Sequence, residues 1–315
     1  LVEGADVFIT NMPIPTRERL KIRYADIRAI NTQIVYASIS AFGEKGPEAG
    51  RPGFDSTALW ARTGLMDLVK PGPDSPPARS LPGMGDHPTA MSLFAAIMTG
   101  LYRRERTGKG SHVSTSLMAN GVWWNGLLTQ ATLCGGQVVC RPPRENAGNP
   151  MHNLYQTRDG RWIHIIFNTN LHRWPEFAAL IGCPELATDP RFENQAAWIE
   201  NNNALILILE EAFARRDYAE WVTLLDDNRF TYGDVRQIDD IPSDPQMIEG
   251  RAIRAIDDPA AGAEYVVDTP IWVEDSYKAD PTMPPELGQH TEEVLRDIGY
   301  DDASLAELKE AGAIP

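Results

Sequence analysis

The segment Leu81-Pro-Gly-Met-Gly-Asp86-His-Pro-Thr-Ala-Met91 carries the residue types best suited to chemistry. Two glycines flank the approach to a carboxylate, and Pro88 opens the apolar run that follows. Proline suits the first turn of a helix, so Asp86 is expected at or near a helix N-terminus. That position has two readings. In one, the carboxylate only caps the helix. In the other, free N–H groups and the helix dipole keep it ionised. An ionised carboxylate at the end of a glycine-flexible loop attacks a thioester carbonyl, and nearby N–H groups stabilise the oxyanion. His87 has a similar pair of readings, structural ring or base. The other histidines (112, 152, 164, 172 and 290) show no metal-ligand spacing, so no metal site is expected. The basic run Arg103, Arg104, Arg106 and Lys109 fits the negative end of a helix better than a phosphate patch. Gly108-Lys-Gly110 lacks the rest of a P-loop.

Asp86 must be held by the elements around it. Ala5–Thr10 reads as a buried strand and Ile34–Ile39 as a second one. Between them, Thr16–Ile22 and Tyr24–Ile30 read as helices, with Thr16 as the N-cap of the first. Strand, helix, strand in this order predicts parallel α/β architecture. Residues 41–55 and 70–85 are loops rich in Gly and Pro. Pro88–Arg106 reads as a long helix, apolar and small-residue-rich nearly all round, and hence buried. Ser111–Ser116 reads as a strand and Leu117–Cys134 as one tryptophan-bearing helix. Gly135–Met151 reads as a linker, in which Gly135, Gly136 and Gly148 allow motion. Asp159-Gly160 marks a hairpin turn, and helical stretches follow near 171–182, 197–215 and 217–226. A strand near Ala263–Val267 and helices near Thr291–Ile298 and Ala303–Glu310 complete the pattern.

The bulk properties narrow the function classes. A chain of 315 residues exceeds one typical domain and predicts two lobes. A net charge of −15 argues against a general nucleic-acid partner. No apolar run reaches the roughly 18 residues of a membrane helix. Cys134, Cys140 and Cys183 follow no disulfide framework, so a cytoplasmic location is expected. Leu1 opens the chain in mid-pattern, from which a missing preceding segment is expected.

Gly85-Asp86, the small-residue helix after it, and Leu101-Tyr-Arg-Arg-Glu-Arg-Thr-Gly-Lys-Gly110 together resemble the core signature of the class III CoA transferases. This superfamily includes formyl-CoA transferase, carnitine CoA-transferase and methylacyl-CoA racemase. Val113-Ser-Thr-Ser-Leu-Met118 continues the likeness. Upstream, Ala5-Asp-Val-Phe-Ile-Thr-Asn11-Met and Asn31 with Ile34-Val-Tyr-Ala-Ser-Ile-Ser40 are similar to successive family strands. Downstream, Pro184-Glu-Leu with Asp189-Pro-Arg-Phe192, and Glu286-Leu-Gly-Gln-His290-Thr-Glu-Glu-Val-Leu295, resemble later patterns. Asn228-Arg-Phe-Thr-Tyr-Gly233 departs from the Gly-Ile-Pro-type turn of many members. The family's amino-terminal half-domain has no counterpart here, which would leave the CoA site incomplete.

The resemblance implies a Rossmann-like large domain and a smaller α+β domain in an interlocked homodimer. The expected divisions are a partial CoA-binding domain at 1–140, a small domain at 141–235, and a return to the large domain at 236–315. It implies that Asp86 forms acyl-anhydride and CoA-thioester intermediates. It also places Asn11, Arg19 and Phe54 at the CoA pocket. Apart from the resemblance, an exposed helix arginine such as Arg19 is ordinarily solvated, and Phe54 could equally be a loop anchor on the core. Coenzyme A then enters as substrate, with no permanently bound cofactor, and the partners are an acyl-CoA and a carboxylic acid. Two other readings fit the same chain. A 2-methylacyl-CoA racemase needs a base on each side of the α-carbon, and Phe54 stands where racemases place a histidine. A non-catalytic CoA-binding fragment would account for the absent half.

Overall fold

The computed structural model describes residues 1–167, 171–256, 262–276 and 278–315. Its first sheet is three-stranded and parallel, in the order β1 (Val7–Thr10), β2 (Val35–Ser40), β3 (Ser111–Ser116). β2 is central. Its Val35, Tyr36, Ala37 and Ser38 are buried, because a parallel strand is covered on both faces. On one face Tyr36 stacks on Phe8 at 5.4 Å, and Ile27 packs nearby. That cover comes from α1 (Ile14–Leu20) and α2 (Tyr24–Ile30). On the other face lies a 22-residue helix, reached through a π-helix at Asp55–Ala61 and a short α3 (Leu65–Leu68). This α4 (Asp86–Thr107) approaches the sheet through Gly100, where a Cβ would stand 2.9 Å from Val35 Cγ1 and 3.2 Å from Val113 Cγ1. A larger residue would push the helix off the sheet.

Several local expectations change. Thr16 is not an N-cap: the helix begins two residues earlier, at Ile14, with Pro15 in its first turn. Proline's fixed φ favours that turn, so Thr16 falls inside the helix. α4 is not buried all round, since only Thr89, Leu93 and Gly100 are. Met91, Phe94, Met98 and Tyr102 face outward, the last 67% exposed. The expected helix over 117–134 is two helices, α5 (Leu117–Trp124) and α6 (Gly126–Leu133), parted at Asn125. At the break, Asn125 Nδ2 donates to Thr63 O at 2.7 Å, two residues past the π-helix. Two of the basic run have structural partners: Arg104 pairs with Asp6 at 2.8 Å, and Arg103 donates to Gly110 O at 3.1 Å.

Contacts gather the described residues into two units, Leu1–Tyr155 with Ile165–Arg215, and Gln156–His164 with Arg216–Pro315. The segment read as a linker is tied down within the first unit. Arg144 pairs with Glu210 at 2.6 Å, and Asn202 Nδ2 donates to Ala147 O at 3.1 Å. There, α7 (Trp174–Leu180), α8 (Gln195–Glu200) and α9 (Asn202–Phe213) bury an aromatic core. Trp174 and Trp198 meet at 5.0 Å, and Tyr155 stacks on Phe213 at 5.3 Å. In the second unit, Asp159-Gly160 does form a turn, with Thr157 N donating to Arg161 O at 2.9 Å. Arg158 pairs there with Asp217 at 2.8 Å, at the start of α10 (Tyr218–Asp227). Two antiparallel strands, Ile253–Ala255 and Tyr265–Val267, and helices Thr291–Asp297 and Asp302–Glu310 belong to the same unit. No helix of the described residues is long and apolar enough to cross a membrane.

Candidate active site

Asp86 is the first residue of α4, with Gly85 as its N-cap. Its own N–H and that of His87 both donate to Gly83 O at 3.1 Å, and Pro88 has no N–H. The donors at this helix start are therefore turned into the preceding turn. The Asp86 carboxylate accepts no hydrogen bond among the described residues. The helix start therefore lends the Asp86 carboxylate no hydrogen bond from its own backbone N–H groups. Burial pushes its carboxyl above the ordinary value, the negative charge of Asp55 raises it further, and His87 opposes both.

Asp55 is a candidate site residue that sequence reasoning missed. It opens the π-helix and is buried. Its Oδ2 accepts the Gly85 N–H at 3.3 Å, and its Oδ1 accepts from Ser56 N at 2.6 Å. Gly85 permits this approach, because a Cβ there would lie 2.8 Å from Asp55 Cβ and 3.2 Å from Leu59 Cδ1. Thr57 closes the start of the π-helix, with its Oγ1 accepting from Phe54 N at 2.9 Å. The helix is braced from behind by α5, where Gly121 sits so close that a Cβ would be 2.7 Å from Leu59 O. π-Helical turns are frequent at functional sites, and this one sets a carboxylate beside the start of α4.

Phe54 is 75% exposed and is therefore not a loop anchor on the core. It lines a cavity of about 540 Å³ with Phe42, Arg51, Pro52, Arg62 and neighbours. Asp55, next to Phe54 in the chain, meets Gly85, next to Asp86, but Asp86 is not among the residues lining that cavity. Asn11 and Arg19 are the other two residues expected at the pocket. Asn11 follows β1 directly, Arg19 lies on α1, and both are exposed. The arginine of α1 that the fold buries is Arg17, whose Nε donates to Met12 O at 2.6 Å and whose Nη1 pairs with Glu44. Phe54 with Asp55, and Asn11 with Arg19, lie after the carboxyl ends of parallel strands, where open α/β sheets take their ligands. No cluster of three or more His, Cys, Asp or Glu able to hold a metal occurs among the described residues.

The profile of "CoA-transferase family III" matches residues 1–291. The (R)-2-hydroxy-4-methylpentanoate CoA-transferase of Clostridioides difficile is 28% identical over 315 residues, covering 100% of this chain and 78% of the relative. An acyl-CoA transferase of Fusarium pseudograminearum is 30% identical over 319 residues, covering 100% of this chain and 68% of the relative. The crystal structure of a CAIB/BAIF family protein from Brucella suis superposes with a TM-score of 0.83 at 26% identity, over 94% of this chain and 76% of that one. With a parallel α/β sheet, an exposed carboxylate at a helix start and a family profile over most of its length, the chain belongs to CoA-transferase family III and is an enzyme of that family.

Proposed function

We propose that the enzyme moves CoA from an acyl-CoA donor to a carboxylic acid acceptor, with Asp86 as the nucleophile. The observation that carries this reading is the placing of Asp86. It is exposed at the start of α4, it accepts no hydrogen bond among the described residues, and the Asp55 charge raises its basicity. An Asp86 oxygen attacks the thioester carbonyl carbon, the C–S bond breaks, and CoA thiolate leaves an aspartyl-acyl anhydride. The thiolate then attacks Asp86 Cγ, and the donor acid departs as its carboxylate. The acceptor carboxylate attacks the same Cγ and expels the thiolate, which closes on the acceptor carbonyl. The C–O bond to Asp86 breaks, and its carboxylate is restored. No net proton is consumed, and coenzyme A takes part as substrate.

Asn11 and Arg19 would take the CoA side, with Arg19 free to meet a phosphate, while Phe54 walls the acyl end. Residues 1–140 would form the CoA-binding part, 141–235 the small domain, and 236–315 the return to the large one. A homodimer is supported by the outward apolar faces of α5 and α6, where Trp123 is 82% and Leu127 84% exposed. Free cysteines fit a reducing cytoplasm. A racemase would need a base where Phe54 stands, and a phenyl ring cannot take a proton.

The test is to incubate the enzyme with a panel of acyl-CoAs, quench with hydroxylamine, and map the hydroxamate by mass spectrometry. The expected product is an aspartyl hydroxamate at Asp86. Transfer that proceeds with the hydroxamate on another residue, or with none, overturns the assignment.

A further inference from the structure

Arg17 is only 4% exposed, in a helix whose other charged side chains face solvent. Its guanidinium makes two contacts at once. Nε donates to Met12 O at 2.6 Å, and Nη1 pairs with the Glu44 carboxylate. Glu44 stands in the loop after β2, so the pair joins the turn after one strand to the loop after its neighbour. Glu44 Oε2 lies 3.5 Å from His112 Nε2, and that nitrogen lies 2.8 Å from Ser38 Oγ. Burial works against the Glu44 charge, yet the bonds from Arg17 and Ser38 and the charges of Arg17 and His112 hold its carboxyl below the ordinary range. The trio is not a nucleophile relay, because Ser38 is buried and shares one ring nitrogen with Glu44.

A buried ion pair is seldom the cheapest way to stabilise a core, since an apolar residue of similar size does as well. What an apolar residue cannot do is fix a carbonyl and a carboxylate in one plane. The guanidinium fork does this, and an ammonium does not. We propose that Arg17 is a positioning residue, which holds the Asn11–Pro13 turn in the shape that receives coenzyme A. It touches the Met12 carbonyl and not the ligand. This inference rests on the reading that Asn11 and Arg19 line the CoA side.

The test uses the full chain with Arg17→Lys, and Glu44→Gln as a second variant should the first fail to fold. Lysine keeps the charge opposite Glu44 but gives up the bond to Met12 O. The CoA dissociation constant, measured by calorimetry, should rise about tenfold or more. KM for the acyl-CoA should follow it, while kcat stays within about twofold. Amides of residues 11–16 should exchange hydrogen faster than in the parent. Glu44→Gln should shift the same quantities in the same direction. Unaltered CoA affinity in a folded variant overturns the inference, as does a fall in kcat at constant KM. If the parent binds CoA and the variants bind it equally well, only this inference falls. If the parent itself binds no CoA, the functional reading falls and takes the inference with it.

Discussion

The negative charge of Asp55 acts on Asp86. Asp86 has to be ionised to attack, yet burial and the Asp55 carboxylate both favour its protonated form. Activity should therefore rise with pH through a value above the ordinary aspartate range. Asp55→Asn removes a negative charge, lowers the Asp86 pKa, and should move the acidic limb of kcat/KM to lower pH. A pH profile from acid to neutral reads this directly, and an unmoved limb would mean that Asp86 does not feel Asp55. The sign of the stability effect follows by linkage. A carboxyl whose pKa is raised by folding contributes most stability when protonated, and that contribution is lost as pH rises through the raised pKa. Asp86→Asn should therefore melt slightly higher than the parent at pH 7 while losing nearly all transfer, as scanning calorimetry and a CoA-transfer assay will show. Phe54 gives a third prediction at this scale. In deuterated water, (R)-2-methylacyl-CoA should keep its C2 proton, and rapid deuterium uptake with inversion would favour the racemase.

The π-helix and α4 are separate elements that meet at one glycine. Gly85→Ala places a methyl 2.8 Å from Asp55 Cβ, so the two helix starts must move apart. Such a shift should cost about tenfold or more in kcat while leaving most of the fold intact. Steady-state kinetics beside a circular-dichroism melt separates the two effects. Leu59, fully buried behind the contact, should cost about 2–5 kcal/mol when cut to alanine, read from urea unfolding. These elements also show what was legible in the sequence. Tyr24–Ile30 and Ser111–Ser116 are found at the residues expected, because their apolar spacing and flanking turn residues are local signals. Asp86 at a helix start was legible for the same reason, through Pro88. The π-helix was not: only its first residue, Asp55, fell in the loop expected at 41–55, its other residues drew no assignment, and no simple period marks its wider turn. Asp55 meets Gly85 across 30 residues, and Arg17 meets Glu44 across 27, so neither pairing leaves a trace in local pattern. The outward side of α4 was misread because composition reports apolarity and not what covers it.

For the molecule as a whole, the uncovered faces call for a partner. If a second copy covers α5 and α6, the enzyme should run as a dimer in light scattering, with an interface above the roughly 2,000 Å² of ordinary complexes. A stable, soluble monomer would contradict that account. The tryptophans give the same question an optical form. Trp174, Trp198 and Trp221 sit in apolar cores, where indole emission is blue and stays so while each core is folded. Trp123 and Trp124 lie on the exposed face of α5, and their emission follows the polarity around them. Dilution that separates two copies should therefore shift the emission to the red with no loss of helical signal. Replacing Trp123 and Trp124 with phenylalanine should silence that shift. The face that leaves the single chain uncovered is in this way a built-in fluorophore for its own association constant.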